Sequence, residues 1–283
     1  MAEEVRRPWT RGGPVMHSTD ELRIGALGTR VRVHRPTPAA VHPGLIYIHG
    51  GGWTMFSLDT HDRVMREYAA RAEVAVVGID YSLSPEAKFP RALDECVDVV
   101  SALRRAEVPG IDAARLGVGG DSAGANLSVA TNLRLRELGE PVLAAMLLNY
   151  GAFDDRHTAS YRRYDGERYM LTADEMDGFW RNYIRADEDR EDPLVCPLRA
   201  NLRGLPPAFV AIAECDILAD QNRLMVDRLR AAGVEVESHV YTGATHSFLE
   251  AVSISALSGR AYDDASKWLR GRLAGSRGHG HAV

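Results

Sequence analysis

Seven short apolar runs divide this chain, and most of the stretches between them carry the period of an α-helix. The runs are 30–34 (RVRVH), 45–49 (LIYIH), 74–80 (VAVVGID), 116–120 (LGVGG), 144–150 (AAMLLNY), 208–213 (AFVAIA) and 236–242 (VESHVYT). Helical patterns fall near 60–72, 90–106, 123–138, 218–232 and 256–273. Strands apolar on both faces must be covered on both faces, and intervening helices are what cover them. The pattern therefore predicts a parallel sheet with helices on either side. Gly110 and Gly233 after helical stretches, and Pro90 where a first turn tolerates it, agree with these ends.

Two segments break the rhythm. Residues 1–29 hold no long periodic stretch, and residues 152–206 interpose aromatics and the acidic run RADEDREDP. Within the second, a short helix is predicted over 173–185, with Thr172 as N-cap and Glu175 three positions on as a capping box. This insertion reads as a cap over the carboxyl edge of the sheet. The 283 residues suit one domain, 1–283, and the tail GSRGHGHAV reads as solvated.

Composition removes several function classes. A net charge of −5 with no Lys/Arg block argues against a nucleic-acid partner. No apolar run approaches the roughly 18 residues of a membrane span, and the first residues lack the apolar centre of a signal peptide. Cys96, Cys196 and Cys215 are scattered, with neither a disulfide framework nor a metal-ligand spacing. The expectation is a cytoplasmic protein that needs no cofactor and no metal.

The chemistry sits at two strand ends. Gly120-Asp121-Ser122-Ala123-Gly124 fits G-x-S-x-G between a predicted strand and a predicted helix, the turn that exposes a nucleophilic serine. His49-Gly50-Gly51-Gly52 follows an earlier strand. At this chain's own residue frequencies the two motifs arise by chance about 0.1 and about 0.01 times respectively. An acyl-transfer site needs backbone N–H groups aimed at the developing oxyanion, which favours bare backbone. Gly51 and Gly52, with Gly50 as a further candidate, can supply donors, and Ala123 just after the serine supplies another. His49 is expected to brace the loop.

A serine hydroxyl needs a base, and the base needs a carboxylate to orient it. Of the histidines after Ser122, His239 lies in a strand, His157 in the presumed cap, and His279 and His281 in the tail. His246, just past the last predicted strand, is the candidate base. Asp216, where the chain leaves the strand 208–213, is the candidate carboxylate. Glu214 is its rival, and Asp220 falls within the next helix. Asp121 cannot orient a base acting on its own neighbour and is read as loop bonding. Cys215 is read as a small packed residue.

HGGGW (49–53), LDTHDR (58–63), GIDYSLSPEAKFP (78–90), GDSAGAN (120–126), CDILAD (215–220) and THSF (245–248) resemble the hormone-sensitive-lipase family of α/β-hydrolases. LDTHDR and DREDP (189–193) point to its bacterial acetyl esterase branch. The resemblance implies a mostly parallel eight-stranded sheet with a helical cap built from about 1–29 and 152–206. It implies a cofactor-free esterase for short acyl chains, with Ser122, Asp216 and His246 catalytic. It places the oxyanion hole at Gly50, Gly51, Gly52 and Ala123, and suggests a homodimer through the last sheet edge. Ser82 and Ala125 depart from the Arg and Gly common in relatives.

The expected activity is hydrolysis of small-molecule esters, acetyl to butyryl, through an acyl-enzyme. The same residues would serve a deacetylase or amidohydrolase of an acetylated metabolite. A ligand-binding module on this fold would have no need of the base.

Overall fold

The computed structural model describes residue 4 and residues 8–274. Eight strands form one sheet: β1 (Ser18–Ile24), β2 (Thr29–Arg35), β3 (His42–Ile48), β4 (Ala75–Asp80), β5 (Ile111–Asp121), β6 (Ala145–Asn149), β7 (Ala208–Cys215) and β8 (Val236–Thr245), in the order β1-β2-β4-β3-β5-β6-β7-β8. Strands β3 to β8 pair in parallel, while β2 runs antiparallel to β4 and β1 antiparallel to β2. The helices used below are α1 (Asp62–Ala72), α2 (Arg91–Arg104), α3 (Ala123–Glu137), α4 (Ala159–Tyr164), α5 (Ala173–Tyr183), α6 (Ala219–Ala231) and α7 (Ala256–Leu273). None is long and apolar enough to cross a membrane.

The two faces of the sheet sort the strand residues by alternation. Ile46, Ile48, Val118, Met146 and Leu148 enter one core with side chains of α2, α3 and α6. Their neighbours Leu45, Tyr47, Ala145 and Leu147 enter a second core with α1 and α7. Fully burying each such aliphatic side chain contributes roughly 1.5–3 kcal/mol, so both cores hold the sheet in register.

One expectation is corrected here. Residues 18–24, assigned to the cap, form edge strand β1. Most of this edge strand is exposed, so charged residues suit it: Glu21 pairs with Arg30 and Arg32, and Asp20 with Arg35. The helix predicted within the insertion forms, as α5. Thr172 accepts from the Glu175 N–H, and Glu175 in return accepts from the Thr172 N–H, closing the predicted capping box on α5. The other end of α5 is held by Lys88, whose ammonium donates to the carbonyls of Arg181, Asn182 and Ile184. A cation at a helix C-terminus also complements the dipole there.

Candidate active site

Strand order places the site. The chain leaves β3 for β4 on one side and returns to β5 on the other, which opens a crevice at the carboxyl ends of β3 and β5. Ile48 pairs with Gly120, so the glycine loop after β3 and the turn after β5 lie side by side. The turn is tight. A Cβ on Gly124 would lie 1.9 Å from the Ile48 carbonyl oxygen, and one on Gly120 would lie 2.2 Å from it. Both motif glycines are thus required by the neighbouring strand, and Ser122 is held at φ 53°, ψ −116°. A non-glycine residue there is strained, a state found where the surroundings over-determine the backbone.

Cys215 at the end of β7 pairs with Thr245 at the end of β8, so Asp216 and His246 emerge together. His246 Nδ1 lies 2.7 Å from Asp216 Oδ2, and Nε2 lies 3.0 Å from Ser122 Oγ. The carboxylate can only accept, so Nδ1 carries the proton and Nε2 is left to accept from the serine. Asp216 is itself fixed by the Leu218 N–H at 2.9 Å. All three side chains are buried. The other candidates stand elsewhere. Glu214 accepts from the Gly243 N–H, Asp220 from the Ser160 N–H within α6's first turn, and His157 meets Asp177 at 2.8 Å. His239, in β8, stacks on Phe209 of β7, and Cys215 carries a free, half-buried thiol. His279 and His281 lie outside the described residues.

The glycine loop after β3 bears on one expectation. The Gly50 N–H donates to Asp121 Oδ1 at 3.1 Å, so it is spent on the loop's own anchor. The N–H groups of Gly51, Gly52 and Ala123 have no acceptor among the described residues. Gly51 has φ 111° and Gly52 φ 58°, and a Cβ on Gly52 would strike the Phe179 ring at 2.2 Å. Bare backbone here serves a left-handed turn and close cover by α5 as well as the donors.

Asp121 is the anchor. It also accepts from the Tyr47 hydroxyl at 2.8 Å and contacts His61 Nε2 at 3.3 Å. Burial would raise its pKa, but the His61 charge and hydrogen bond, then Tyr47, hold it at about 2. His49 donates from Nδ1 to the Gly50 carbonyl at 2.7 Å and stacks on Tyr81, bracing the loop. Burial and the nearby His61 push it down to about 3, unsuited to act as a base at neutral pH. His61 was not singled out from sequence; its place in LDTHDR was the available signal.

The cleft above Ser122 encloses about 420 Å³, counting its open mouth. Its walls are largely apolar: Met55 and Phe56 from the glycine loop after β3, and Met170, Leu171, Met176 and Phe179 from the insertion. Trp53 stacks on Tyr183 at 4.3 Å and meets Trp180 at 4.5 Å, clamping the loop to α5. Two groups among the described residues bring metal-capable side chains together: His61, Asp121 and Glu250, and Asp154, Asp155 and Cys196. In the first, Asp121 is engaged as above. In the second, Arg156, Arg190 and Arg199 take up the carboxylates.

Residues 45–250 match the family described as alpha/beta hydrolase fold, and the chain belongs to that family. The acetyl esterase of Salmonella choleraesuis (strain SC-B67) is 36% identical over 275 residues, covering 95% of this chain and 84% of its own length. The thermostable carboxylesterase EstE1, cloned from a metagenomic library, superposes with a TM-score of 0.92 at 32% identity, covering 96% of this chain and 95% of its own. A hyperthermophilic esterase from the archaeon Pyrobaculum calidifontis gives 0.90 at 32%, covering 95% and 88%. The resemblance drawn from HGGGW and GDSAGAN is borne out, as are the fold class and its eight strands.

Proposed function

We propose that this protein is a serine carboxylesterase acting on small esters with short acyl chains, acetyl to butyryl. The observation that carries the reading is the Ser122–His246–Asp216 chain of contacts, at 3.0 and 2.7 Å, beside uncommitted N–H groups. Ser122 Oγ attacks the ester carbonyl as His246 Nε2 takes its proton. The carbonyl oxygen becomes an oxyanion that accepts from Gly51, Gly52 and Ala123. His246 then gives the proton to the departing alkoxide, which leaves as the alcohol. Water, deprotonated by the same nitrogen, releases the acid and restores the serine. Asp216 holds the imidazole's tautomer and stabilises its cation. Residues 152–206 act as the cap, and their apolar side chains suit a short acyl or alcohol group. Three free cysteines fit a reducing, cytoplasmic setting, and a homodimer through the β8 edge is what the family resemblance suggests.

The test is hydrolysis of p-nitrophenyl esters from acetate to decanoate by wild type and Ser122→Ala. Fastest turnover on acetate or butyrate, with a loss of at least about 10³-fold in the variant, supports the reading. A folded wild type inert on every ester overturns it.

A further inference from the structure

One continuous segment, 165–179, supplies Met170, Leu171, Glu175, Met176 and Phe179 to the cleft that holds Ser122. The same segment contains five acids (Asp165, Glu167, Asp174, Glu175 and Asp177) and one base, Arg168. Arg168 is laid over the Tyr169 ring at 4.7 Å. Asp177 meets His157, and Asp165 accepts from the Ala173 N–H. Glu167, Asp174 and Glu175 have no ion-pair partner among the described residues. Among the cleft's own lining residues Glu175 is the sole carboxylate, and neither Lys nor Arg lines it. Glu175 is also held in place. Its Oε2 accepts from both the N–H and the hydroxyl of Thr172, each at 2.9 Å. The N-terminal dipole of α5 offsets part of this charge, but the surplus over the segment remains acidic.

We propose that the cleft selects its esters by charge. Esters carrying a cationic amine or ammonium group are accepted ahead of neutral isosteres, and esters carrying a carboxylate are turned away. The reasoning rests on the esterase reading. A fixed carboxylate at the wall of a largely apolar cleft attracts a bound cation and repels a bound anion. It raises or lowers kcat/KM according to the substrate's charge, without touching the reacting atoms.

The experiment compares three acetates: acetylcholine, its uncharged isostere 3,3-dimethylbutyl acetate, and the acetate of 4-hydroxybutanoate. At low salt the expected order of kcat/KM is cation, neutral, anion, with about three- to ten-fold per step. The steps shrink towards unity in about 0.5 M NaCl, where the Debye length falls to a few ångströms. Glu175→Gln keeps a capping-box residue at the same place. It cuts the cation-to-neutral ratio of kcat/KM by about three-fold or more. Asp174→Asn, one residue away at an acid that does not line the cleft, shifts the ratio in the same direction by less. Equal kcat/KM on all three acetates, or a cation preference untouched by both salt and Glu175→Gln, overturns the proposal. p-Nitrophenyl acetate separates the two levels. If wild type cleaves it and shows no charge order, charge selection alone falls; if it does not, the esterase reading falls and this inference with it.

Discussion

Asp121→Asn keeps the size of a buried side chain and removes its charge, so its effect can be worked from the contacts. The carboxylate receives the Tyr47 hydroxyl, the Gly50 N–H and His61 Nε2 at 2.8, 3.1 and 3.3 Å. An amide oxygen can still serve Tyr47 and Gly50, but the amide nitrogen then turns a donor towards His61. Asp121 lies at about 2, against 3.8 for an ordinary aspartate. The difference corresponds to about 2 kcal/mol of folding stability. Because the folded pKa is the lower one, this stabilisation is complete above about pH 5. It is lost as pH falls through about 4 towards about 2. Asparagine lacks it at every pH, and the mismatched donor adds about 1 kcal/mol or more. At pH 7 the variant should therefore be about 2–4 kcal/mol less stable, yet still folded. Guanidinium unfolding at pH 7, 5, 4 and 3 measures the gap. It should be constant from pH 7 to 5 and narrow below 4. A gap under about 0.5 kcal/mol at pH 7, or one that stays constant down to pH 3, refutes the assignment of Asp121 as a charged anchor.

Two further variants test the loop and the cap. Gly51→Ala places a Cβ 2.2 Å from the Met55 carbonyl oxygen at φ 111°, so the loop must shift. Its kcat on p-nitrophenyl acetate should fall about 10²–10³-fold with the protein still folded, and an unchanged kcat would remove the Gly51 N–H from the oxyanion hole. Thr172→Ala deletes the capping box and should weaken α5 locally by about 1 kcal/mol. Hydrogen exchange would show α5 amides about five-fold faster with α3 unaffected; equal rates in α5 would show that the cap helix does not depend on Thr172.

What the sequence reveals and what it conceals follow from how each residue acts. The meeting of Ser122, Asp216 and His246 was legible because each directly follows a strand, and parallel strands deliver their carboxyl ends to one edge. Strand β1 was not legible because STDELRI is half-solvated and carries its own charges, so its alternation is weak. Gly50 could not be separated from Gly51 and Gly52 by sequence. The difference lies in which N–H a carboxylate 71 residues away has already taken. The contact of Phe179 with Gly52 was hidden for the same reason, since it joins a loop to an inserted helix.

The two ends of α5 are held by contacts of different kinds. Its far end is fastened by the Lys88 ammonium on three carbonyls and by the Trp53–Tyr183 stack. At the near end, the turn before the helix reaches the floor through the His246 N–H on the Tyr169 carbonyl at 3.3 Å. Eleven residues give an arm of about 16 Å, so a tilt of roughly 10° about Lys88 carries Thr172 about 3 Å. Such a tilt would displace Met170 and Glu175 at the mouth further than the stacked rings near Lys88. Met176 and Phe179 line the cleft from α5 while Ser122 and His246 stand at strand ends, so the walls and the floor of the cleft belong to separate elements.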